Sequence, residues 1–236
     1  MNAFDPAGPR LDAATLDARL RTARPTEIIA AALDAFPGRV AAVSSFGTES
    51  AVLLHLISQV DPAMPVLFLD TGHLFPETLA YRDALAERLG LTGIVTFRPD
   101  ARELAGRDPG NALWAENPDA CCALRKVEPL ARALVPYGAW INGRKRYQAA
   151  TRADIPVVET DGARVKFNPL AAMVRADLEG YMAAHDLPRH PLEAFGFASV
   201  GCMPCTTRVM PGEDPRAGRW RGRAKTECGI HIAEGI

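Results

Sequence analysis

Short apolar runs alternate with longer amphipathic stretches over most of this chain. Val40 to Ser44 and Val66 to Leu69 are short apolar runs. Such runs suit strands buried on both faces of a parallel sheet. Ile94 to Phe97 and Ala139 to Asn142 read as two further strands. Helices are predicted over Asp12 to Ala23, Thr26 to Phe36, Ala51 to Val60, about Pro76 to Gly90 and about Arg175 to His185. Thr26 is the expected N-cap of the second, and Pro37-Gly38 its breaker. Another helix should start near Asp119 and carry Cys121, Cys122, Arg125 and Lys126, after a loop over Arg107 to Pro118. Val157 to Thr160 and Arg164 to Asn168 flank Asp161-Gly162 as a hairpin. Alternating strands and helices imply an α/β fold with a doubly wound, mostly parallel sheet. Past Pro188 the periodicity fades and Gly, Pro and Arg accumulate, so an irregular C-terminal segment is expected. The whole reads as a single α/β domain, with a core over about 1–190 and a C-terminal segment over about 191–236.

Composition narrows the class without naming it. The 236 residues are 48% hydrophobic and 23% charged, ordinary values for a soluble globular protein. A net charge of −1 argues against a general nucleic-acid binder. No apolar run approaches the ~18–20 residues that span a membrane. Residues 1–16 lack a basic stretch followed by an apolar core, so no secretory leader is expected and the cytoplasm is the default setting. There thiols stay reduced, and paired cysteines point to metal binding or redox chemistry.

Five cysteines divide into two pairs and a single: Cys121-Cys122, the CxxC of Cys202 and Cys205, and Cys228 near the C-terminus. Zinc and iron–sulfur clusters both accept four thiolates. Adjacent helical residues point about 100° apart, which is awkward for one small tetrahedral ion and easier for a larger cluster. Lys126, four residues after Cys122, should share its helical face and offset thiolate charge. Cys228 has Lys225 and His231 nearby, and such cations raise a thiolate fraction. Arg216, Arg219, Arg221, Arg223 and Lys225 precede it and read as a clamp on a small anion. Ser44 to Ser50, between a strand and a helix, suits a phosphate-like anion, although it is neither a Walker A loop nor GxGxxG. Asp70-Thr71-Gly72 puts a second polar loop on the same sheet edge, with room for an adenosine between the two.

Together these segments resemble the cluster-containing adenylyl-sulfate reductases of the adenylyl-sulfate and phosphoadenylyl-sulfate reductase family. The resemblance rests on Ser44 to Ser50, Leu69 to His73, Cys121 to Leu130, Asn142 to Arg146, Gly201 to Thr206, Gly218 to Trp220 and Glu227 to His231. It implies an adenine nucleotide α-hydrolase-like fold and one [4Fe-4S] cluster on Cys121, Cys122, Cys202 and Cys205. Cys228 would be the nucleophile. Phosphosulfate is expected near Lys126, Arg216, Arg219 and His231, and adenosine near Ser44, Leu69 and Gly143, with Arg152 close by. The implied activity is thioredoxin-dependent reduction of adenylyl sulfate to sulfite and AMP through a Cys228 S-sulfonate, in sulfate assimilation and cysteine biosynthesis, by a homo-oligomer (dimer or tetramer). Two departures stand out: Arg221-Gly222-Arg223 replaces the aromatics usual after Gly-Arg-Trp, and Tyr147 stands where a polar or acidic residue is usual.

Three other readings remain open to test. A phosphoadenylyl-sulfate reductase shares the chemistry but generally lacks the cysteine quartet. An ATP-dependent tRNA sulfur-insertion enzyme usually carries Ser-Gly-Gly-x-Asp-Ser in the first loop, which here reads Ser45-Phe46-Gly47-Thr48-Glu49-Ser50. A zinc-stabilised binding module leaves Cys228 and the arginines without a purpose.

Overall fold

The protein is described by a computed structural model covering residues 12–231; residues 1–11, on which most of the leader reading rests, and 232–236 lie outside it. Strands β1 (Val40–Val43), β2 (Val66–Leu69), β3 (Ile94–Phe97), β4 (Ala139–Ile141), β5 (Val158–Asp161) and β6 (Arg164–Phe167) form one sheet in the order β3-β2-β1-β4-β6-β5. All neighbours pair in parallel except β5, which closes one edge antiparallel to β6. Gly162, at φ +60°, takes the first central position of the hairpin between Asp161 and Arg164. Positive φ at that place is what glycine supplies cheaply.

The apolar tetrads behave as two-faced strands. Val40, Ala42, Val66, Phe68, Ala139 and Ile141 pack into one layer with Leu16, Ile29, Leu54, Leu85 and Met182. Those five come from α1 (Ala13–Leu20), α2 (Pro25–Ala35), α3 (Ser50–Val60), α4 (Pro76–Leu89) and α9 (Arg175–Ala184). Their strand neighbours Ala41, Val43, Leu67 and Trp140 face the other way, onto Leu130, Ala133 and Leu134. Side-chain alternation along each strand therefore fills both faces, as a doubly wound sheet requires.

Three local expectations need correction. α2 begins one residue before Thr26, and its cap is Arg24, whose N–H donates to the Glu27 carboxylate at 2.8 Å. Pro25 at the first helical position fixes the backbone there. The expected loop from Arg107 to Pro118 also holds a short helix, α6 (Leu113–Glu116), and is preceded by α5 (Ala101–Arg107), capped by Asp100. Finally, the single helix expected from Asp119 is three pieces. α7 (Pro118–Cys122) passes into a π-helical turn at Ala123–Val127 and then α8 (Glu128–Ala133). The Glu128 N–H reaches back five residues to the Ala123 carbonyl. Pro129 explains the break, because it has no N–H for the Arg125 carbonyl and its ring displaces the regular ladder.

Past Leu187 the described residues make only short 3₁₀ turns, at Pro191–Phe195, Met203–Cys205 and Gly229–His231. It is stitched to the sheet side by an isolated bridge between Leu74 and Cys202 and a 2.7 Å bond from the Met203 N–H to the His73 carbonyl. The strand order reverses direction between β1 and β4. In an open α/β sheet the crevice outside those carboxyl ends is where a ligand is expected.

Candidate functional site

A cleft opens at that crevice, lined by Ser44, Ser45, Gly47 to Ser50, Asn142 to Lys145, Arg152, Arg216, Arg219, Ile230 and His231, among others. The first loop gets its shape from Phe46, which is fully buried at φ +49° with its ring edge-on to Phe68 at 5.4 Å. The Phe46 N–H donates to Ser44 Oγ at 3.2 Å. Ser50 then opens α3 with no side-chain cap, so the first N–H groups of that helix have no side-chain acceptor. This is the usual makeup of an anion site at a helix N-terminus.

Glu49 ties that loop to the segment after β4. Its carboxylate accepts from Lys145 Nζ at 2.7 Å, Tyr147 Oη at 2.6 Å and Gln148 Nε2 at 2.6 Å. Burial works to raise its pKa, but Lys145 and the hydrogen bonds outweigh burial and hold the carboxyl below its usual range. The unusual Tyr147 thus has a structural purpose. No local pattern singles out Glu49, since its three partners lie about a hundred residues away.

The second polar loop serves a different cavity. Asp70, Thr71, Gly72 and His73 do not line the cleft. The Thr71 carbonyl accepts from Arg125 Nη1 at 2.9 Å, and Thr71 Oγ1 lies 3.3 Å from Cys202 Sγ. Arg125 also donates to Asp108 at 2.6 Å and Asn111 at 2.8 Å. Burial works to raise the Asp108 pKa, but the bond and charge of Arg125 together with the N–H groups of Leu113 and Ala112 outweigh it and hold the carboxyl below its usual range. Arg125 therefore locks α5, α6 and this loop around the cysteines. Cys121, Cys122, Cys202 and Cys205 line one small closed cavity together with His73, Arg125, Lys126 and Trp220. None is in a disulfide. Among the described residues, no group of three or more His, Cys, Asp or Glu side chains is arranged to hold a metal ion. Three buried side-chain nitrogens lack any partner there: His73 Nε2, Arg125 Nε and Trp220 Nε1.

Between cavity and cleft lies the tail. Cys228 is half-buried, and its thiol is held well below the usual range. A hydrogen bond from Cys122 is the main cause, with Lys126 and Arg219 adding to it against burial. Desolvation pulls on the Lys126 ammonium, but the neighbouring sulfurs, among them that of Cys228, outweigh it and keep the lysine protonated. His231 lies parallel to Trp140, centroids 6.1 Å apart, and burial followed by the cations Arg144 and Arg152 keeps its ring neutral. Ile230 joins the second apolar layer. Gly229 passes so close to Val127 that a Cβ would sit 3.0 Å from Val127 Cγ2.

The arginine run divides. Arg216 and Arg219 line the cleft. Arg219 crosses over Gly201, where a Cβ would fall 2.2 Å from its guanidinium, and donates to the Val200 carbonyl at 3.2 Å. Arg221 instead pairs with Glu213 at 2.8 Å, Arg223 donates to the carbonyls of Trp114 and Ala115, and Lys225 pairs with Asp119. Those three pin the tail rather than facing the cleft. Of the residues expected to bind substrate, Ser44, Gly143, Arg152, Arg216, Arg219 and His231 meet at the cleft. Lys126 lines the thiol cavity, and Leu69 ends β2 against the second core layer, outside the cleft lining.

The phosphoadenosine phosphosulfate reductase domain matches residues 39–208. The chain is 52% identical over 229 residues to an "Adenosine 5'-phosphosulfate reductase" of Chelativorans sp., covering 96% of this chain and 94% of that protein. It is 54% identical over 227 residues to a protein of the same name in Mesorhizobium japonicum, covering 96% and 89%. A "Phosphoadenosine 5'-phosphosulfate reductase" of Gloeobacter violaceus is 46% identical over 216 residues, covering 88% of each chain. Among solved structures, a phosphoadenylyl-sulfate (PAPS) reductase from Candida auris superposes with a TM-score of 0.72 at 26% identity, over 88% of this chain and all of that one. These matches and the strand order agree: the chain belongs to the phosphoadenosine phosphosulfate reductase family.

Proposed function

We propose that this protein reduces adenylyl sulfate to sulfite and AMP, using thioredoxin or a similar dithiol protein as reductant. The observation that carries the reading is Cys228 set beside Lys126 and Arg219, with Arg219, Ile230 and His231 lining the cleft of the β1–β4 switch point. Relatives of that name, matched over nearly their whole length, support the substrate. The Cys228 thiolate attacks the sulfur of adenylyl sulfate. An S–S bond forms, the bond from that sulfur to the bridging phosphate oxygen breaks, and AMP leaves with the electron pair. A thiolate of the dithiol protein then attacks Cys228 Sγ and releases sulfite. Its second thiol resolves the mixed disulfide, returns Cys228 as a thiol and so supplies both electrons. Lys126, Arg216 and Arg219 offset the charge of a thiolate approaching an anion. The neutral His231 ring stands at the same end of the cleft. Adenosine lies against Ser44 and Gly143, with Leu69 and Arg152 nearby.

The four free thiols fit one [4Fe-4S] cluster by the chemistry of their donor set. The orphaned N–H groups of Arg125 and Trp220 at their cavity match sulfur acceptors, and hydrogen bonds to sulfur are how proteins tune such clusters. The cluster would supply a fixed negative centre beside Lys126. The setting we infer is cytoplasmic, in sulfate assimilation, as a dimer or tetramer. No helix among the described residues is long and apolar enough to cross a membrane.

Anaerobically purified protein should contain about four iron and four sulfide per chain. Incubated with adenylyl sulfate alone, it should carry one SO₃ group on the tryptic peptide 226–236, and Cys228→Ser should not. Zinc or no metal, or sulfonate on C228S, would refute the cluster or the nucleophile respectively. The Gloeobacter and Candida relatives keep phosphoadenylyl sulfate as the second reading. Faster turnover of that nucleotide would favour it.

A further inference from the structure

Arg152 lines the cleft, yet its guanidinium is already engaged. Nε donates to Glu227 Oε1 and Nη2 to Glu227 Oε2, each at 2.7 Å, in a two-pronged pair. The third nitrogen, Nη1, donates to Gln148 Oε1 at 2.6 Å. Both side chains are buried, 9% and 4% exposed. Arg216 Nη2 lies 3.3 Å from the same carboxylate and also donates to the Thr226 carbonyl at 3.0 Å. Burial alone would push the Glu227 pKa up, but Arg152 and Arg216 reverse this and keep it charged.

Glu227 immediately precedes Cys228. Downstream of the cysteine, Ile230 packs into the second apolar layer and His231 lies on Trp140. The thiol is thus held between an ionic anchor on one side and an apolar anchor on the other. A charge that is buried and paired cannot lose its partner without moving to water or neutralising. If Arg152 lets go, Glu227 must leave its site, and Cys228 goes with it.

We propose that Arg152 is a positioning residue that acts through Glu227. It fixes the Cys228 thiolate over the cleft, rather than gripping an anionic group of the substrate. This rests on the reading of Cys228 as the nucleophile. The alternative assignment, in which Arg152 binds substrate directly, requires the ligand to displace a buried, doubly bonded carboxylate. The fork geometry also explains why the pair is arginine and glutamate: two parallel N–H···O bonds fix orientation as well as distance.

The test uses full-length anaerobic protein and the variants Glu227→Gln, Arg152→Ala and Arg152→Lys. Hydrogen exchange of the segment 226–231 is read by mass spectrometry without ligand. AMP affinity and the single-turnover rate of Cys228 sulfonation are then measured. Glu227→Gln keeps the shape and removes the charge, so it should exchange at least about tenfold faster at 226–231. It should slow sulfonation about 10–100-fold, the cost of a misplaced reacting group, with AMP affinity unchanged. Arg152→Ala should do the same, and Arg152→Lys should recover only part of it. If Arg152 instead grips substrate, Glu227→Gln frees the guanidinium and tightens AMP binding, Arg152→Ala weakens it, and exchange at 226–231 stays at the wild-type rate. Those results overturn the proposal. Should Arg152→Ala fail to fold, the Glu227→Gln exchange result decides alone. If the wild type never acquires the sulfonate, the functional reading fails, while the exchange data still report on the anchor.

Discussion

Glu49 offers the sharpest test of how the cleft is built. Replacing it with alanine removes the carboxylate that accepts from Lys145, Tyr147 and Gln148 at 2.6–2.7 Å. The Lys145 side chain is 3% exposed, so its ammonium is left in the protein without its counter-charge. Removing one partner of a buried ion pair costs about 3–5 kcal/mol. Tyr147 and Gln148 are only half-buried and regain water, so their share is small. We expect Glu49→Ala to lower the unfolding free energy by about 4 kcal/mol, a large part of the ~5–15 kcal/mol typical of a domain. The double change Glu49→Leu with Lys145→Met takes away both charges and should recover most of the loss. Urea denaturation of anaerobic protein, with the slope checked for constancy, gives each value. The sign with pH follows from the depressed carboxyl. Its contribution is complete above pH 4.5 and is lost as pH falls through the lower folded pKa. A loss under about 1 kcal/mol for Glu49→Ala, or no recovery in the double variant, would mean that Lys145 is not paired in a dry site and would refute this reasoning.

Two further results are expected. His190 is 1% exposed, accepts the Leu192 N–H at Nδ1 and leaves its Nε2–H to Thr78 Oγ1; burial pushes its pKa from 6.5 down to about 4. The unfolded chain therefore gains a proton first, and stability should fall by about 3 kcal/mol as pH drops from 6.5 to 4. His190→Asn keeps a cap for Leu192 and should flatten that slope in urea titrations at stepped pH; an unchanged slope would discard the assignment. Gly201→Ala should leave thermal stability nearly intact, because the clashing group is the flexible end of Arg219, but should cut sulfonation by moving that guanidinium. Gly218→Ala is the contrast, since its Cβ would meet the Thr207 carbonyl oxygen at 2.2 Å, and it should lower Tm outright. Equal effects of the two on Tm would contradict this picture.

The parts of the fold that were legible in the sequence are those with a local physical cause. Val66 to Leu69 and Ile94 to Phe97 are strands at the predicted bounds, because short apolar or β-branched runs have few other uses. The cysteine pairs were legible because four thiols in two tight pairs are rare outside shared sites, and the structure brings all four to one cavity. Pro129 was a signal within reach: a proline inside a predicted helix marks a break, and here it marks the π turn under Lys126. The Asp70 to His73 loop was assigned to the wrong cavity, because which loops border the cleft depends on strand order, and no local pattern contains strand order. The arginine run shows the same limit. Its basic residues are alike in sequence, yet Arg216 and Arg219 turn to the cleft while Arg221, Arg223 and Lys225 find partners elsewhere.

Energetic deficits say where the chemistry must lie more directly than composition does. Six buried side-chain polar atoms among the described residues have no hydrogen-bond partner, and five of them, on His73, Arg125, Trp220, Arg219 and His231, belong to residues lining the thiol cavity or the cleft. Each such group costs about 1–3 kcal/mol while unmet. Elsewhere the fold avoids that cost, as the Trp140 Nε1–H shows by reaching Asp161 at 2.7 Å deep under the tail. A chain that satisfies Trp140 and leaves Trp220 unmet is not short of acceptors in general. It is short of them at two adjoining sites, one lined by thiols and one by cations. Sulfur at the first and an oxyanion at the second would meet all five. On the proposed reading Cys228 works between the two sites, its thiolate shielded from a cluster while it approaches an oxyanion, with Lys126 and Arg219 as the shielding cations.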